Sequence, residues 1–135
     1  MHRLFKIDAK SISVGIVTFC VLYLVITQAV NLIIDIGDVS IPKGGFGGSL
    51  MGFLALFPFL ASGYLTSMRT HPSGVFNSAL LGVVVGILVV LYARMTFGEY
   101  PPTYSTPRGI MGGVASSLVL CALGGTLGAI TRHYR

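Results

Sequence analysis

The chain has 135 residues, nine of them Lys or Arg and four Asp or Glu. Apolar residues make up 53% and charged residues 10%, against about 25% charged in soluble domains; this excludes an ordinary soluble domain, a disordered tail and a disulfide scaffold. Eighteen glycines and no tryptophan sharpen the point, because a soluble core would not spread glycine through its apolar runs. The class that remains is a small polytopic membrane protein.

Four stretches carry no Asp, Glu, Lys or Arg: residues 11–34, 46–67, 74–93 and 109–131. Each has the roughly 20 residues that cross a bilayer at 1.5 Å per residue, so the expected fold is an all-α, four-helix transmembrane bundle forming a single domain over residues 1–135. A signal peptide is the competing reading of the first stretch, which follows Arg3, Lys6 and Lys10. The run is too long for an h-region and lacks a small-x-small cleavage site, so it is read as a membrane anchor. Arg3, Lys6, Lys10, Arg69, Arg132 and Arg135 fall on one side, and Lys43, Arg94 and Arg108 on the other with Asp35, Asp38 and Glu99. The positive-inside rule then places both termini in the cytoplasm. A prokaryotic cytoplasmic (inner) membrane is the expected location, with multiple passes.

The first helix carries Tyr23, Thr27, Asn31 and Asp35 at four-residue spacing, with Gln28 beside them. Such a stripe either glues helices together or lines a solute path. No ionisable group lies at the midplane, because Asp35 is terminal, and this favours glue. In the second helix Pro58 removes one backbone hydrogen bond and predicts a kink. In the following link Pro72 ends the second helix and Ser73 can cap the third. Asn77 and Ser78 are polar positions near the start of the third helix.

Small residues form stripes. The fourth helix has Gly109, Gly113, Ser117, Cys121, Gly125 and Ala129 at four-residue steps, the third Gly74, Ser78, Gly82 and Gly86, and the second begins Gly44, Gly48, Gly52. Apolar side chains gain little by meeting each other in lipid, so association depends on close backbone approach, which a small face permits. The stripes either pack the four helices together or, in addition, meet a second copy or a larger partner. Sliding the chain by 65 residues superposes Gly47-Gly48 on Gly112-Gly113, Gly63 on Gly128 and Thr66 on Thr131. Two parallel repeated hairpins would give this pattern, and so would chance in glycine-rich sequence.

Enzyme signatures are lacking. His2, His71 and His133 lie outside the spans, and there is no Cys-x-x-Cys, His-Glu-x-x-His or phosphate-binding glycine loop. Asp35 and Asp38 make a weak carboxylate pair better read as helix-end solvation. Cys20 and Cys121 sit at similar depths inside spans; they would approach only if the first and fourth helices were neighbours, and are read as inert packing residues.

The run Gly124-Gly125-Thr126-Leu127-Gly128-Ala129-Ile130-Thr131-Arg132 is similar to one in small four-helix fluoride channels. There it occupies the first helix and is followed by filter motifs that this chain lacks. Small multidrug resistance transporters share size and helix number, but their first-helix Glu has no counterpart here. Ala61-Ser62-Gly63-Tyr64-Leu65 before a basic turn, a Gly/Val-rich third span and a Gly-Gly-rich fourth resemble uncharacterised small four-helix membrane proteins of the DUF5518 type. That resemblance implies a fold and brings no activity with it.

The expected function is therefore non-enzymatic: a membrane protein that acts through helix packing, as a homo-oligomer or an accessory subunit of a larger complex. A small transporter or channel for a solute or ion is the alternative. The expected partners are the lipid bilayer and other membrane subunits or a second copy. No cofactor, metal or nucleic acid is expected; the basic residues form no continuous stripe.

Overall fold

A computed structural model describes residues 6–37, 46–70, 72–97 and 106–134. All the described secondary structure is helical: α1 Ala9–Gly37, α2 Phe46–Arg69, α3 Gly74–Phe97 and α4 Pro107–His133. Three of these, α1 over Ala9–Val30, α3 over Gly74–Ala93 and α4 over Pro107–His133, are long and apolar enough to cross a membrane. The links around Asp38 and Lys43 and around Glu99 and Pro101, together with the side chains of Asn31, Asp35 and residues 46–53, lie outside the description.

The helices outrun the uncharged stretches because backbone capping, rather than the first charge, decides where a helix stops. The Asp8 carboxylate accepts the amides of Lys10 at 3.1 Å and Ser11 at 3.3 Å, and the Ser11 hydroxyl at 2.7 Å. It thereby starts α1 before Lys10. At α4 the Thr106 hydroxyl accepts the Gly109 amide at 3.1 Å, and Pro107 occupies the first turn, where its missing N–H is harmless. Arg94 likewise does not end α3, which continues to Phe97. Helix α2 runs unbroken through Pro58, whose ring is fully buried.

Helix α4 lies along both α2 and α3, while α1 packs on α2 and more loosely on α3 and makes at most a marginal contact with α4. The two hairpins are therefore not equivalently placed. The apolar core is small, with Phe19, Leu81, Val85 and Cys121 buried and Ile12, Ile16, Tyr23, Phe59 and Val89 against them. The chain segment before α1, the α2–α3 turn and the last turn of α4 gather at one end of the bundle, joined by the bonds of Asn77 and Arg132 described below.

Candidate functional site

The small residues of α4 face two neighbours at once. On the α2 side, a Cβ built on Gly63 would collide with the backbone carbonyl of Cys121, and one on Gly124 with that of Leu60. One on Gly128 would stand 2.6 Å from the Tyr64 carbonyl oxygen. On the α3 side, a Cβ on Gly82 would stand 2.6 Å from the Leu118 Cα, and one on Gly125 2.6 Å from the Ser78 Cβ. Gly86 meets the Val114 Cα at 3.0 Å in the same construction. At Gly63, Gly82, Gly124 and Gly128 these are backbone-to-backbone crossings that only glycine permits. Ser117, Cys121 and Gly125 are buried there, whereas Gly109, Gly113 and Ala129 at the ends of the stripe are half-buried. Gly82, Gly86 and the middle of the α4 stripe thus meet other helices of the same chain. Gly86 and Gly113 border a void of about 190 Å³ beside Phe59 and Leu120.

The α1 stripe is divided. Tyr23 and Thr27 are half-buried, and the Thr27 hydroxyl donates to the Tyr23 carbonyl of its own helix at 2.7 Å. Gln28 is exposed, and the side chains of Asn31 and Asp35 are outside the description. Tyr23 belongs to an aromatic series: its ring stacks on Phe19 at 5.6 Å and meets Tyr92 edge-on at 6.4 Å, and Phe19 meets Phe59 at 4.8 Å. Between α1 and α3 the rings of Phe19, Tyr23 and Tyr92 border a cleft of about 260 Å³ with Cys20, Leu24, Leu88 and Val89. The cleft is apolar, and so suits hydrocarbon better than a hydrated solute.

Cys20 is exposed on α1 and Cys121 is buried against α2. Since α1 and α4 are not packed neighbours, the condition for the two thiols to approach is not met. The described residues contain no group of three His, Cys, Asp or Glu that could hold a metal ion. The Asp35–Asp38 pair lies outside the description.

Two polar clamps close the end where the segment before α1 and the last turn of α4 gather. The Asn77 side chain, fully buried on α3, accepts the Asp8 amide at 2.9 Å and donates to the Lys6 carbonyl at 2.9 Å. It holds the segment before α1 as a neighbouring strand would. It also donates to the Ser73 carbonyl and hydroxyl at 2.9 and 3.0 Å, and the Ser73 carbonyl accepts the Asn77 amide at 3.0 Å from the position just before α3. On α4, Arg132 Nη1 donates to the Ser67 and Thr70 carbonyls, both at 2.9 Å. It thereby caps the Thr70 carbonyl at the end of α2 and adds a second bond to the Ser67 carbonyl, which also accepts the Thr70 amide at 3.2 Å.

A buried polar seam runs inward from these clamps. Ser62, Thr66 and Thr70 are buried on α2 and return their hydroxyls to carbonyls three or four residues earlier, at 2.9–3.0 Å. Ser78 bridges helices, donating to Gly63 at 2.8 Å and to Gly74 at 2.9 Å. The four-residue spacing of Ser62, Thr66 and Thr70 was available as a signal, since the same spacing marks the α1 stripe. Arg132 gave no such signal beyond its charge.

Beside the clamps, Lys6, Asp8, Lys10, Arg69, Thr70 and Ser73 border a polar hollow of about 770 Å³. The bonds from the Ser11 hydroxyl and amide, with smaller help from the Lys10 amide and charge, outweigh the opposing effect of burial and hold the Asp8 carboxyl below its ordinary value of 3.8, so it is a carboxylate at neutral pH.

No protein-family model matches the chain, and neither the curated proteins nor the solved structures yield a match. The likeness to the DUF5518 type therefore rests on the residues quoted for it above.

Proposed function

We propose that the chain is a non-enzymatic, multi-pass protein of a cytoplasmic membrane, with all four helices spanning and both termini on the cytoplasmic side. It works as an assembly element that binds a second copy or a larger membrane complex. The contact surface in this reading is α1, because the glycine crossings of α3 and α4 are occupied within the chain. One observation carries it. Gln28 is exposed at the centre of an outward α1 face formed by Val21, Leu24, Val25 and Leu32, all more than half exposed. A primary amide on an apolar face within a membrane span gains most when another helix supplies its hydrogen bonds.

Cross-linking through Cys20, on the flank of the same face, tests the reading. In native membranes carrying the Cys121→Ala background, copper-phenanthroline oxidation is expected to give a disulfide dimer if the partner is a second copy. If the partner is another protein, mild-detergent purification is expected to yield a co-migrating subunit. Gln28→Leu should weaken either association by about fivefold to thirtyfold, the worth of an interhelical hydrogen bond of about 1–2 kcal/mol. A monomer with nothing co-migrating, unchanged by Gln28→Leu, rejects it.

A further inference from the structure

We propose that the hollow between the start of α1 and the α2–α3 turn is a binding site for the phosphate of an anionic lipid headgroup. Three cations border it, Lys6 from the segment leading into α1, Lys10 from the first turn of α1 and Arg69 from the last turn of α2, against the single carboxylate of Asp8. That carboxylate is engaged by the Ser11 hydroxyl and by the amides of Lys10 and Ser11. The start of α1 therefore offers an incoming anion no free amide at those positions, and recognition falls to the three cationic side chains. A smaller hollow of about 290 Å³ continues from the first and again has Lys10 and Arg69 on its wall, with Asp8 and Ser11.

The backbone that carries Lys6 and Arg69 is held in place before any ligand arrives. Asn77 fixes the Lys6 carbonyl and the Asp8 amide, which sets the backbone on either side of Ile7. The two hydrogen bonds from Arg132 fix the end of α2 from which Arg69 projects. Arg69 supplies a planar fork suited to two phosphate oxygens, and the lysines supply point charge. Ile7, 63% exposed, stands on the rim of the same hollow. An aliphatic side chain beside three cations matches the boundary between a phosphate and the acyl chains beneath it better than it matches a fully hydrated ion. The hollow lies at a membrane surface only if the helices span as proposed above. Extraction of the protein with alkaline carbonate tests that reading separately.

The test uses the full chain in mild detergent, with native mass spectrometry counting bound phosphatidylglycerol and, as the zwitterionic comparison, phosphatidylcholine. Phosphatidylglycerol is expected to be retained preferentially. The Lys10→Gln/Arg69→Gln double variant should weaken its retention by about thirtyfold, since each basic residue near an anionic headgroup contributes a factor of about five. The Lys10→Arg/Arg69→Lys variant should retain the lipid, which separates loss of charge from loss of fold, and Arg108→Gln should match the unmodified protein. A parallel arm adds inorganic phosphate. Persistence of the bound lipid in millimolar phosphate supports the lipid as ligand, whereas displacement assigns the same site to free phosphate and overturns the lipid. Equal retention of the two lipids, or a double variant indistinguishable from the unmodified chain, overturns the site.

Discussion

At the residue scale, a buried amide is strongest where it meets a peptide backbone, because its donor and acceptor match those of a neighbouring strand. Asn77 uses this match on the segment before α1. Asn77→Leu keeps the volume and removes the bonds. It should lower stability by about 2 kcal/mol and raise hydrogen exchange at the Asp8 amide, with little change along α4. Ser67 is the opposite case: its hydroxyl is buried without a hydrogen-bond partner. Ser67→Ala is therefore expected to be neutral or to stabilise by about 1 kcal/mol, read as a shift in the thermal midpoint in detergent. Asn77 stood out in the sequence as a polar position near a helix start. Its partners did not, because they are backbone groups 69 and 71 residues away in the chain, and backbone groups carry no residue-type signal.

At the element scale, the four-residue stripes announced that helices would approach closely, and the period alone sufficed for that. What period could not supply was the pairing. Gly124 and Gly128 lie on the flank of the α4 stripe that turns to α2, while Gly125 turns to α3, so one helix has two small faces where the sequence displayed one. Gly63→Ala and Gly124→Ala each place a methyl group against a facing carbonyl and should cost about 1–3 kcal/mol through the forced shift of α2 from α4. Gly112→Ala meets nothing within 4 Å and should leave stability unchanged or slightly raised. Unfolding the three variants in parallel in sodium dodecyl sulfate tests the contrast. Equal losses at Gly63 and Gly112 would mean that helix propensity, and not the crossing, decides.

At the scale of the whole molecule, the bundle is uneven. Only 11% of the apolar window of α1 is buried, against 39% for α3, so α1 has the fewest contacts to lose. Under rising denaturant, hydrogen exchange should show α1 losing protection first, with α2, α3 and α4 failing together afterwards. A single concerted transition across all four helices would contradict this. The helical class was legible in the four uncharged stretches, and three of the helices have the length and apolarity that hydrocarbon demands. The separation of α1 from α4 was not, since lipid covers an apolar helix face as readily as another helix does and composition cannot tell the two apart. The position of α4 also bears on the order in which the chain is made. A ribosome delivers α2 and α3 well before α4, and the last helix completes glycine crossings on both. Until it emerges, Gly63 and Gly82 stand without the backbone they are shaped for. Arg132, in the last turn of α4, then reaches back to carbonyls made more than sixty residues earlier. The bundle is therefore locked only once α4 has emerged, and a ribosome halted inside α4 would hold a nascent chain whose interior is still open to the membrane.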